Sequence, residues 1–538
     1  MKNIVSLFIA LICFQNISAQ KGFSRKDSLQ GGIRIERTCF DVQRYDLNVK
    51  INIEKRSITG HNAISFKVIE NTKKIQIDLF PNLQVDSIVH QSQKLKFKRE
   101  YNAVFISFPI DLQKGTDEQI TFYYSGFPTI AKNAPWDGGF VFANDKNGKP
   151  WVGLACQGIG ASIWYPCKDS QTDEPDKGAS IKVAVPNGLM NVSNGRFIGS
   201  EDLKDGFTRW DWEVKNPINN YDVTINIADY AHIHDELDGL SLDYYVLKEN
   251  LKIAKTHFEQ VKPMMKCFQT KFGKYPFGED GYKLVETSYL GMEHQSAVAY
   301  GNKYNSGYLG KDLSSTGIGL LFDFIIIHES GHEWFGNSIT SDDIADMWIH
   351  EGFTQYSESV YIECQFGYEK AKTYLNGLKN NVSNDKPVIG NFGVNNKGSG
   401  DMYPKGALFL HTLRNIINND TLWWKILASY SENFKHKIIN TAIVVSFFNK
   451  QTGMDLTPIF NQYLRYKNIP KLEINRKSEQ LEYRWKTDVA DFNMPLDVKI
   501  DGKEMRIVPT TTWTKSNIKN TNTTKIEIPL DKFFINVN

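Results

Sequence analysis

The stretch IIIHESGHEWFGN, residues 325–337, constrains this chain more than any other. His328 and His332 stand at i and i+4 directly behind an apolar run. On a helix that spacing puts both imidazoles on one face, one turn apart. Their nitrogens can then reach a common point, which makes half of a zinc site. Glu329 follows the first histidine and projects about 100° further around the axis. That offset suits a general base working on water beside a metal, rather than a ligand. The apolar run Phe324 to Ile327 predicts a buried helix that keeps the two histidines aimed. A solvated helix with two ordinary histidines is the competing reading.

A catalytic zinc needs a third protein ligand and one open position. Glu351 is the candidate. Eighteen residues, Glu333 to His350, separate it from His332. That leaves room for the rest of one helix, a turn and the start of the next, so a return to the metal is feasible. The expected cofactor is one Zn2+ per chain, held by His328, His332 and Glu351.

The segment resembles the family of zinc aminopeptidases that includes aminopeptidase N and the leukotriene-forming epoxide hydrolase. Their pattern of histidine-glutamate-x-x-histidine, eighteen residues and a glutamate is present, with Trp334, Gly336 and Asn337 just after the second histidine. The family's tryptophan-leucine-asparagine-glutamate-glycine block is here Trp348-Ile349-His350-Glu351-Gly352. His350 replaces the usual asparagine and is not expected to be a fourth ligand. A second block resembles Leu290-Gly291-Met292-Glu293-His294. The resemblance implies that Glu293 holds the free α-amino group of a substrate, while Gly291 and Met292 line the substrate pocket. Physics agrees, since an α-ammonium needs a carboxylate within hydrogen-bonding distance. His294 stands where the family has asparagine, and could keep a donor there.

Tyr403, in Tyr403-Pro404-Lys405-Gly406, resembles the family tyrosine that donates to the oxyanion. Gln157 with Trp164-Tyr165-Pro166-Cys167 resembles a family stretch in which a glutamine or glutamate precedes an aromatic-proline-cysteine block, and the resemblance implies that Gln157 is a second amino-terminus contact. Glu358 lies seven residues beyond Glu351, two turns along the same face, where it could orient a ligand histidine; a solvated helix acid is the alternative. Asn337 is expected in the same supporting layer. The resemblance covers about Cys39 to Pro470, including the Phe272–Phe277 block. It implies a multidomain α+β fold, with a thermolysin-like, mainly helical catalytic domain. The large helical C-terminal domain of many relatives has no counterpart in the seventy strand-like residues at the end.

A chain of 538 residues is too long for one core, so several domains are expected. Residues 1–19 read as a secretory signal: Lys2, an apolar run to Phe14 and a small residue at Ala19. Export to the periplasm or outside the cell is the expectation. Residues 20–231 alternate polar and apolar positions over short spans, which predicts one large antiparallel β domain. Residues 232–468 turn to helical spacing, as in YYVLKENLKIAKTHFEQVKPMMKCFQTKFG, and GIGLLFDFIIIHESGHEWFGN is expected to be one helix. Residues 469–538 return to short strands, a small C-terminal β domain. After the signal five cysteines remain, an odd number; a Cys156–Cys167 bridge and two buried free thiols are both open.

A net charge of +2 and the absence of any basic run argue against nucleic acid as a partner. No later segment is apolar enough for membrane insertion. Peptides with a free amino terminus are the expected partners, and zinc-dependent aminopeptidase the expected function. A thermolysin-type endopeptidase shares the zinc core but gives Glu293 no task. An epoxide hydrolase activity is disfavoured, because Asn395 stands eight residues before Tyr403 where that branch has an aspartate. A non-catalytic scaffold would not need the intact His328, Glu329, His332 and Glu351.

Overall fold

Helix α1 (Arg25–Gly31) opens the described chain with a capping box, Ser24 and Asp27 each bonding the other's backbone N–H. The structure is a computed structural model and describes residues 22–476, 480–519 and 524–538, so the expected signal peptide lies outside the described residues.

Strand Phe40–Asn52 buries every second residue on either side of a bulge between Val42 and Arg44. It sits inside an eight-stranded sheet between Ser57–Val68 and Ala179–Pro186. The second of these pairings is parallel, against the expectation of a purely antiparallel domain. Parallel neighbours need a long crossover, and residues 53–178 supply one. Buried residues from Cys39 to Ala299 make one apolar core beneath these strands.

The helical character expected from His232 begins later. Tyr230–Leu237 and Leu240–Leu247 form a hairpin that leads a five-stranded sheet, with Tyr282–Glu286, Val298–Tyr300 and the edge strand Gly291–Met292. Leu240–Leu247 pairs in parallel with Tyr282–Glu286. That distant pairing, with Tyr244 to Leu247 all buried, overrides the local helical spacing. Helix α2 (Val261–Phe272) follows, then α3 (Phe324–Gly331), α4 (Trp348–Phe366) and α5 (Pro404–Ile417).

A disulfide joins Cys267 of α2 to Cys364 of α4 across 97 residues. Cys39, Cys156 and Cys167 are free and buried, so of the two open arrangements the structure has the free thiols. The C-terminal strands pack into the same apolar core as the helices. Tyr463 Oη donates to the Phe534 carbonyl at 2.7 Å, and the Phe534 N–H donates to Thr412 Oγ1 of α5 at 3.0 Å.

Candidate active site

Helix α3 is short because both ends are specified. Asp323 caps it, accepting from the N–H groups of Ile325 and Ile326 at 2.9 and 3.3 Å. The same buried carboxylate accepts from Tyr300 Oη at 2.8 Å and meets His257 Nε2 at 2.7 Å. The helix expected across residues 317–337 ends at Gly331, because Phe335 and Gly336 leave helical geometry and Gly336 takes φ 131°. Only glycine is at ease there. An added Cβ would also lie 3.1 Å from His332 Nδ1 and 3.3 Å from His350 Nδ1. The turn carries the Phe335 carbonyl to 2.9 Å from His332 Nδ1, fixing that ring.

The chain then returns through the short strand Ile339–Ser341 to α4, whose first turn bears Glu351. Glu351 Oε2 lies 3.7 Å from His328 Nε2 and 3.3 Å from His332 Nε2. Ligands at the corners of a tetrahedron around zinc, with bonds of 2.0–2.2 Å, stand about 3.3 to 3.6 Å apart. The three donor atoms lie within 4.8 Å of one another, all on buried residues. Apart from these two imidazoles, Glu351 Oε2 is buried with no hydrogen-bond partner among the described residues. A buried charge left so is costly unless a cation meets it. The residues present therefore fit a zinc ion.

Each histidine is held from behind. His328 Nδ1 is 2.7 Å from Glu358 Oε1, and Glu358 in turn accepts from Tyr374 Oη at 2.6 Å and from Gln355 Nε2. Glu358 is wholly buried, not a solvated helix acid. Thr354 Oγ1 adds a contact of 3.2 Å to His332 Nδ1. Sequence reasoning missed Thr354, Gln355 and Tyr374. The first two lie three and four residues after Glu351, a spacing that could have flagged them.

Burial favours neutral imidazoles, but the carboxylates around His328 and His332 outweigh it and raise both pKa values. Burial also pushes Glu351 up, yet His332 and His328 hold it well below the usual carboxylate range. Burial dominates at Glu329, whose pKa rises to about 7 against the opposing pull of His328. At Tyr403 burial and the nearby Glu351 carboxylate keep the phenol protonated. Its ring lies parallel to His328, with centroids 6.1 Å apart.

The acidic block closes the other side. Glu293, Glu329 and His332 bring donor atoms within 4.8 Å of one another. Glu293 follows the edge strand, and Gln157 Nε2 donates to its Oε1. Asn337 Nδ2 donates to the Glu293 carbonyl at 2.7 Å. At Gly291 a Cβ would lie 2.7 Å from Ile325 Cγ2 and 3.2 Å from Glu329 Oε1, so this glycine lets α3 approach the strand. Met292 is buried beside it. His294, which could have kept a donor here, donates to nothing among the described residues, where neither ring nitrogen has a partner, and burial lowers its pKa to about 3. His350 Nε2 accepts from the Ser341 N–H at 2.8 Å. Tyr221, also missed, is buried and borders Gln157.

The Peptidase M1 N-terminal domain family matches residues 42–221, and the Peptidase family M1 domain matches residues 256–463. The chain belongs to peptidase family M1. This M1 chain is 22% identical to endoplasmic reticulum aminopeptidase 1 of Mus musculus over 52% of its own length and 31% of the relative's. It is 19% identical to probable aminopeptidase 1 of Sulfurisphaera tokodaii over 89% of its length and 61% of the relative's. It thus spans about a third and about three fifths of these curated relatives. An M1 zinc metallopeptidase crystal structure from Deinococcus radiodurans has the same fold: TM-score 0.66, 18% identity, 82% of this M1 chain and 96% of the other.

Proposed function

We propose that this protein is a zinc-dependent aminopeptidase that removes residues one at a time from the amino terminus of peptides. The observation that carries it is Glu293, a buried carboxylate bonded by Gln157 and set against Glu329 and His332. An α-ammonium seated on Glu293 places the first peptide bond beside the metal cage. His328, His332 and Glu351 would hold zinc, which when bound polarises the scissile carbonyl and makes water more acidic. Glu329 accepts the proton of the attacking water and passes it to the leaving amine. Tyr403 donates to the oxyanion as charge grows there. Glu358 and the Phe335 carbonyl fix the histidine tautomers, and Asn337 fixes Glu293. Three named neighbours point the same way: the two curated relatives are called aminopeptidases, and a mutant of the Deinococcus metallopeptidase is bound to a Tyr-Ser-Ala substrate.

The test is a panel of aminoacyl fluorogenic amides, free and N-acetylated, with and without a chelator. Chelator-sensitive cleavage of free-amine substrates only is expected. Cleavage of acetylated substrates at equal rates would replace this reading with an endopeptidase. We also propose export. The apolar stretch within residues 1–19 supports it, as does the Cys267–Cys364 disulfide, a bond that persists in oxidising compartments. Among the described residues no helix is long and apolar enough to cross a membrane. Amino-terminal sequencing of the mature protein, expected to begin at Gln20, tests it.

A further inference from the structure

A cavity of about 80 Å³ opens beside Gln157. One water needs roughly 10–15 Å³, so the space holds a side chain. Its walls come from five parts of the chain: the loop after Gln157, the Asn219–Tyr221 segment, the Met347 turn ahead of α4, Asn395, and Gln30 with Gly31 of α1. Helix α1 is fixed here. Gln30 Nε2 donates to the Ile159 carbonyl at 2.7 Å, and Arg37 Nη1 donates back to the Gln30 carbonyl at 2.7 Å. Gly31 fits so closely that a Cβ would lie 2.3 Å from the Val394 carbonyl carbon. Asn395 Nδ2 completes the rim, donating to the Gly158 carbonyl at 3.1 Å.

The lining has a sign. Asp169, Asp342 and Asp343 border the cavity, and among the described residues no lysine or arginine does. Gln171 Oε1 and Asn220 Oδ1 are buried there with no hydrogen-bond partner among the described residues. Unmet acceptors in a negative field suit a donor-rich cation. Gln157 touches both this cavity and Glu293. A substrate's first side chain branches from the carbon that bears its ammonium, so with the ammonium on Glu293 the side chain enters this space.

We propose that α1 forms the outer wall of the pocket for the substrate's first side chain, and that this pocket selects lysine or arginine over an aliphatic residue. The proposal rests on the aminopeptidase reading above, so its test includes a readout independent of turnover. In the full, zinc-loaded protein, kcat/KM for arginyl and lysyl amides is expected at least tenfold above that for the leucyl amide. Gln30→Lys should lower the arginine-to-leucine ratio at least fivefold, and Gln30→Glu should raise it. A merely structural role for α1 would move both variants the same way. That result, or a leucine-preferring wild type, overturns the proposal. If no amide is cleaved, the aminopeptidase reading fails and calorimetry decides the pocket alone. Free L-arginine must then bind wild type at least fivefold tighter than L-leucine, and lose that margin in Gln30→Lys. Equal binding of the two amino acids overturns it.

Discussion

His328 Nδ1 stands 2.7 Å from Glu358 Oε1, two helical turns along α4 from Glu351, which faces the other nitrogen of the same ring. The pair fixes which nitrogen carries the proton and leaves Nε2 free for a metal. Removing the negative charge while keeping the shape weakens that preference. Glu358→Gln is expected to bind zinc about 10- to 100-fold more weakly. Competition against a chelator of known affinity measures it. An unchanged zinc affinity would mean that burial alone orients His328.

Glu329 projects into the same cavity but takes no part in the three-atom cage of His328, His332 and Glu351. Glu329→Gln should therefore keep a full equivalent of zinc and lose turnover. A loss of about 10² to 10⁴ in kcat is the range for a missing general base. Metal content and kcat measured on one preparation decide it, and a variant near wild-type activity would remove Glu329 from the mechanism.

Asn337 acts at one remove, through the backbone of Glu293. Asn337→Ala frees a buried carbonyl and lets the Glu293 carboxylate wander. The expected outcome is a raised KM for free-amine substrates, with zinc content unchanged. A fall in metal content instead would place Asn337 with the histidine supports.

How much of this was legible depended on whether the signal was local. His328, His332, Glu351 and Glu358 sit at helical spacings, and the structure brings all four together. The helix expected across residues 317–337 is shorter in the structure. Gly336 carries the signal that ends it, yet its φ of 131° reflects the close approach of His332 and His350, which no spacing reveals. Tyr244 to Leu247 show helical spacing yet end a strand, because its partner, Tyr282–Glu286, lies forty residues on. The Cys267–Cys364 disulfide needs α2 and α4 packed side by side before either cysteine shows its partner. Tyr221 carries no motif; only the fold sets it beside Gln157.

Glu174 offers a test of buried charge away from the metal. It is 6% exposed, its Oε2 has no partner, and burial followed by Asp173 raises its pKa to about 8. In the unfolded chain a glutamate titrates near 4.3. The folded state therefore binds the proton more tightly. The stability this confers is fully present below the unfolded pKa and is lost as pH rises through the folded one. A glutamine stays neutral throughout. Glu174→Gln should match wild type near pH 4.5, then exceed it by a margin that widens to about pH 8 and levels off above. The buried His411 and half-buried His436, whose pKa values burial lowers to about 4, add a slope of opposite sign at lower pH. They are common to both proteins and cancel in the difference. Paired thermal melts from pH 4.5 to 9 measure it, and a margin that stays flat with pH would show Glu174 ionised in the folded protein.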